Sequence, residues 1–224
     1  MKKELFTLFA LFVSFSCYAQ YETRFLGIPI TGSKVGMINK IAQKGFSKTS
    51  YNGFDLEGEF NGTQVGISVA TNNNKVYRVY LQDLNYRDER DVQIRYNNLC
   101  QQFKENGKYL VVDATPIADN EDISYEIRIH KKRYEAEFRQ SLTDEEMKQL
   151  GEKYVKAIKE KYHLGALDNL EGKVSEEFIE EACKEVKDIM NNRVVWFMID
   201  ERYGKYGIVM FYDNMANKAS GEDL

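Results

Sequence analysis

Apolar residues return every three positions over residues 33–44 (Val35, Ile38, Ile41), with Ser33 placed to cap the first turn and Gly45-Phe46 at the stop. This pattern predicts a short amphipathic helix. Alternation then takes over. Residues 55–60 alternate, Val65, Ile67 and Val69 share one side, and after Asn72-Asn73-Asn74 the run 76–81 resumes, which reads as three antiparallel strands joined by hairpins. Val92, Tyr96, Leu99 and Phe103 restore helical spacing over 91–104, stopped by Asn106-Gly107, and 109–112 opens another extended stretch. Beyond a turn-rich loop at Pro116, residues 124–129 and 134–138 alternate, predicting a hairpin over His130-Lys131-Lys132.

The pattern changes again at Ser141. Thr143 and Glu146 have capping-box spacing, and Met147, Leu150, Tyr154 and Ile158 trace one helical face. After a joint, Ser175 opens a second helix whose face carries Phe178, Ala182, Val186 and Ile189. Residues 142–191 therefore read as a charged helical hairpin inserted into the fold. The last strands, 194–199 and 207–212, are apolar on both faces, as expected of the central pair of a sheet. Runs of consecutive strands predict an α+β fold, an antiparallel sheet with helices packed on it. The two helix-plus-strands halves hint at a weak internal duplication.

The first nineteen residues have a basic start (Lys2, Lys3), a short apolar run and a small-residue exit at Cys17-Tyr18-Ala19. That is the layout of a secretory signal peptide, so residues 1–19 are expected to be removed, leaving 20–224 as one α+β domain, periplasmic or secreted. Lipidation at Cys17 is the alternative. No later run is long enough for a transmembrane helix. Export permits disulfides, and Cys100 with Cys183 is the candidate pair; the alternative is two buried free thiols.

Composition then narrows the chemistry. In 224 residues, 31 Lys and Arg face 35 Asp and Glu, for a net charge of −4, which argues against a nucleic-acid partner. The stretch from Gly27 to Lys34 approaches a phosphate-binding loop, but Ser33 precedes Lys34 where the lysine should come first, so it reads as a strand turning into a capped helix. His130 and His163 lie at a turn and a helix end without a partner signature, and Asp119, Glu121 and Asp122 lack calcium-loop spacing. No catalytic set, metal set or cofactor is indicated. Fifteen Tyr and thirteen Phe remain to be explained. Tyr77, Tyr80, Tyr203 and Tyr206 are the candidate binding residues, because tyrosine on a rigid sheet suits protein or glycan recognition; cross-strand pairing that only stabilises the sheet is the alternative.

The segments Phe25-Leu26-Gly27-Ile28-Pro29-Ile30-Thr31-Gly32-Ser33, Lys44-Gly45-Phe46, Leu56-Glu57-Gly58-Glu59-Phe60-Asn61-Gly62 and Lys75-Val76-Tyr77-Arg78-Val79, with the ending from Tyr212 to Leu224, resemble an uncharacterised family of small exported proteins from gut Bacteroidetes. The resemblance covers 25 to about 138 and 194–224 and brings no assigned catalytic residues. The architecture it implies is loosely similar to that of β-lactamase inhibitor protein, a likeness of form. The expected function is a non-enzymatic binding module for a protein or glycan. The alternatives are a carboxylate-dependent hydrolase of envelope polymers and a self-associating structural protein of the envelope, for instance a homodimer.

Overall fold

The apolar hairpin near the C-terminus organises the fold. Strands Arg193–Arg202 and Lys205–Asn214 pair over their whole lengths, with Ile208 opposite Ile199 and Tyr212 opposite Val195. They occupy the middle of an eight-stranded antiparallel sheet. The computed structural model describes residues 21–50, 53–165, 170–172 and 174–218, so the expectations for Ala19 and Cys17 lie outside the described residues.

In chain order, a two-residue hairpin, β1 (Arg24–Phe25) and β2 (Ile28–Pro29), precedes α1 (Lys34–Ala42). Leu26 and Gly27, both at positive φ, make its turn, as type I′ geometry requires. The loop that approached a phosphate-binding motif thus becomes a tight turn followed by a helix whose Ser33 side chain accepts from the Gly36 amide. The strands β3 (Ser47–Lys48), β4 (Leu56–Phe60), β5 (Thr63–Asn72) and β6 (Lys75–Asp83) form a meander. Helix α2 (Glu89–Glu105) leads to β7 (Tyr109–Asp113), α3 (Ile123–His130) and β8 (Glu135–Gln140). Helices α4 (Asp144–Lys161) and α5 (Glu176–Asn191) follow, then β9 (Arg193–Arg202), β10 (Lys205–Asn214) and a short 3-10 turn. Among the described residues no helix is long and apolar enough to cross a membrane.

The sheet order β3-β4-β5-β6-β10-β9-β8-β7 shows two meanders, each preceded by a helix, meeting through their last strands. Helices α4 and α5 enter between β8 and β9, which pair directly, so they interrupt a hairpin without disturbing its register. Because β-strand side chains alternate, the register assigns every strand residue to one of two faces. Leu56, Val65, Ile67, Val79, Leu81, Phe138, Val195, Phe197 and Met210 point to the main core. Helix α1 covers the β5–β6 part of this face with Met37 and Ile41, and helix α2 covers the β9–β10 part with Val92, Tyr96, Leu99 and Phe103. Helix α2 is clamped there by Arg95, which donates two 2.8 Å hydrogen bonds to the fully buried Asp83.

Three sequence expectations differ from the structure. Residues 124–129 form helix α3 rather than a strand. Asp122 caps it by accepting from the Tyr125 amide, Lys131 ends it in the left-handed conformation, and Ile123 and Ile127, one turn apart, face the core. In so short a run alternation and helical spacing coincide. Met147, expected on the inner face of α4, is exposed. The cysteines are free thiols: Cys100 is buried on the inner face of α2, where loss of water pushes its pKa up to about 11, and Cys183 is exposed on α5. The candidate pair is therefore split between the core and solvent.

A second, smaller cluster of Tyr21, Leu150 and Ile189 holds the helical hairpin to the sheet end. Beside it lies Glu146, buried and shared between Arg193 (2.7 Å) and Arg24 (3.3 Å), while also completing the capping box with Thr143. Burial opposes its charge, but the Arg193 hydrogen bond, the Thr143 amide and the two guanidinium charges outweigh that and lower its pKa. A carboxylate with a depressed folded pKa stabilises the fold above its unfolded value of about 4.5 and stops doing so as pH falls through the folded value. Glu146→Gln should cost about 3–5 kcal/mol at neutral pH, since it leaves Arg193 buried without its counter-ion. Urea unfolding should also show a shallower loss of stability below about pH 4.5; an unchanged acid limb contradicts the assignment.

Candidate functional site

The second face of the sheet has the opposite parity to the core face. Register places Arg78, Tyr80 and Gln82 of β6 beside Val209, Phe211 and Asp213 of β10. These in turn stand beside Val194, Trp196 and Met198 of β9. Gly66 of β5 lies in the same row, opposite Gln82, and a Cβ there would strike the Phe54 ring.

An aromatic ladder crosses this face. Trp196 stacks on Phe211 at 4.0 Å with the rings nearly parallel, and Phe211 meets Tyr80 at 5.3 Å. Over it lies the Arg78 guanidinium, 4.7 Å from the Phe211 ring centre and 5.8 Å from those of Trp196 and Tyr77. Asp213 fixes two of these groups: it accepts two 2.6 Å hydrogen bonds from Arg78 and one of 3.1 Å from the Trp196 indole. Those bonds raise the Arg78 pKa further, so its charge is permanent. Such a bidentate pair holds a cation flat against rings that would otherwise rotate.

Toward the other end of β6 a polar chain continues the ladder. Tyr80 donates to Gln82, the Gln82 amide donates to Tyr86 at 2.9 Å, and Tyr86 donates to Asp200. Arg202 closes the chain on Asp200 and Gln82. Burial first, then the Asp200 hydrogen bond, raises the Tyr86 pKa, and burial raises that of Tyr80, so both phenols remain donors. Tyr86 reaches the face because Gly207 has no side chain; a Cβ there would stand 3.0 Å from the ring. At the opposite end a groove of about 410 Å³ opens between Arg78, Trp196, Arg139, Arg133, Glu137 and Lys218.

Of the candidate tyrosines, Tyr80 is a member of the ladder, and Tyr77 flanks it at the β6 irregularity opposite Ala70 and Thr71. Tyr203 stands at the β9–β10 turn, fully exposed and at positive φ. Tyr206 points inward, buried and hydrogen-bonded to Ser124, because its parity matches Ile208 and Met210. The structure therefore places Tyr80 in the ladder and Tyr77 against its arginine, and leaves Tyr203 and Tyr206 apart from it. Sequence reasoning missed Trp196, Phe211 and Arg78. The signal that could have found them is the phase shared by Trp196 with Asp200 and Arg202, and by Phe211 with Asp213.

The remaining chemical candidates are held locally. His130 pairs with Glu126 at 3.0 Å, His163 is exposed at the end of α4, and Glu121 is engaged by Lys132 and Tyr134. Among the described residues no group of three His, Cys, Asp or Glu is gathered as a metal site would need. No protein-family model matches the chain, and no curated protein and no solved structure matches it. The reading of this face therefore rests on its geometry.

Asp213→Ala should cost about 1–3 kcal/mol, because the Trp196 indole and part of Arg78 lose their acceptor in a half-buried setting. Arg202→Ala, removing a side chain more than half exposed, should change stability by less than about 1 kcal/mol. Equal effects in urea unfolding would mean that Asp213 does not organise the face.

Proposed function

We propose that the protein is an exported, non-enzymatic binding module that uses the open face of its sheet to engage a protein partner. The observation that carries this reading is the Trp196–Phe211–Tyr80 ladder with Arg78 held on top of it by Asp213. Trp, Tyr and Arg at the centre of a rigid surface are the residues that dominate protein interfaces. Their order before binding reduces the entropy lost on association. The paired carboxylates here serve recognition: Asp213 is taken by Arg78 and Trp196, and Asp200 by Tyr86 and Arg202. Protein is favoured over glycan because two ring faces are spent on each other in the Trp196–Phe211 stack, leaving a mixed apolar and cationic surface.

The test is capture of envelope proteins on the immobilised mature chain, followed by affinity measurement with the purified partner. Trp196→Ala and Arg78→Ala should each weaken that complex at least tenfold, roughly the threshold of an interface hot spot. A captured protein that binds both variants as tightly as the parent contradicts the reading.

A second reading rests on a different observation. Leu110, Val111 and Val112 of β7 are about half exposed on an edge strand that pairs only with β8. An uncovered apolar edge is a template for pairing with another chain, and self-association through it predicts a homodimer that Val111→Lys dissociates in sedimentation. A parent protein that stays monomeric at high concentration rejects this second reading.

A further inference from the structure

On the core side, α2 ends before the sheet does, and a cavity of about 670 Å³ lies beyond its last turn. This is within the range of roughly 300–1,000 Å³ typical of small-molecule sites. Four adjacent strands supply its floor, with Tyr109 of β7, Gln140 of β8, Arg193 of β9 and Tyr212 of β10, while Phe60 and Phe103 form an apolar wall. The β1–β2 hairpin and the start of α4 close the sides.

Arg193 makes this more than a gap in packing. Its side chain is almost wholly buried, one terminal nitrogen donates to Glu146 at 2.7 Å and the other to Gln140 at 3.3 Å, and its Nε–H meets no acceptor among the described residues. A buried cationic donor without a partner is uncommon, because the group has given up water for nothing. Charge points the same way. Arg24, Lys108 and Arg193 line the cavity; Glu146 is shared by the two arginines, and Asp144 is the remaining carboxylate on the rim. The site thus joins an aromatic wall to an excess of cationic donors.

We infer that this cavity binds a small amphiphilic carboxylate, with its acyl or aryl body against Phe60 and Phe103 and its anionic oxygens toward Arg193 and Arg24. This site is separate from the open sheet face and does not depend on the partner proposed there. A carboxylate there gains charge-assisted hydrogen bonds from the guanidinium groups that line the cavity, next to the one buried arginine donor, the Arg193 Nε–H, that has no acceptor among the described residues.

Calorimetric titration of the whole chain with octanoate and phenylbutyrate, against octanol and phenylbutanol, tests the inference. At least one carboxylate should bind about tenfold or more tightly than its alcohol. Changing Arg193 itself endangers the fold, so the decisive variant is Gly107→Trp. Gly107 is at the cavity rim with nothing within 4 Å of where a Cβ would stand, so the added ring can fill the mouth without displacing a neighbour. It should weaken carboxylate binding at least tenfold while the circular dichroism spectrum is unchanged, and Tyr203→Ala at the exposed turn should bind as the parent does. Absence of binding by both carboxylates, equal affinity for acid and alcohol, or full affinity in Gly107→Trp overturns the inference.

Discussion

The seam between β6 and β10 holds the two halves of the molecule in one sheet. Five register pairs, from Val209 opposite Gln82 to Asp213 opposite Arg78, join segments about 130 residues apart in the chain. Closing so long a loop is entropically costly, so the seam must be reinforced by side chains. Carboxylates do this on both faces. Asp83 accepts from the Ile208 amide and from Arg95 on the core side, and Asp213 accepts from Arg78 on the open side. Each buried acid thus ties a neighbouring strand to a further element, α2 in one case and the aromatic ladder in the other.

This arrangement explains how the second face of the sheet holds large apolar groups. Trp196, Phe211 and Tyr80 cover one another, and the arginine stem and guanidinium cover them in turn. The rings are only half-buried, yet each is in contact with its neighbour in the ladder. The contacts that stabilise this face also give it its shape, which it owes in part to a pair of ions.

Much of the architecture was legible in the sequence because its periodicities are long and well punctuated. The capping box at Thr143 and Glu146 marked α4, and the two apolar runs near the C-terminus marked the centre of the sheet. The candidate site was less legible. Trp196 and Phe211 belong to runs apolar on both faces, so only the phase they share with Asp200, Arg202 and Asp213 beyond those runs marks their side of the sheet. That phase does not say which strand lies alongside, because the β6–β10 register is non-local. Tyr80 was identified only as a tyrosine on a strand and its face follows from the register, whereas Tyr206 follows the parity of a strand whose inner face is set by Ile208 and Met210. The cavity below α2 had no sequence signature, since its floor comes from four strands separated along the chain.

The insertion of α4 and α5 between two paired strands looks, topologically, like an ornament that evolution or a designer could remove. Its first turn nevertheless carries Glu146, whose carboxylate neutralises Arg193 at the start of β9 and Arg24 in the first hairpin. A shortened chain linking Gln140 directly to β9 would preserve every ladder pair and still strand a cation in the interior. Arg193 and the first turn of α4 are therefore one electrostatic unit: taking out the helical hairpin takes away the counter-ion of the residue at the base of β9.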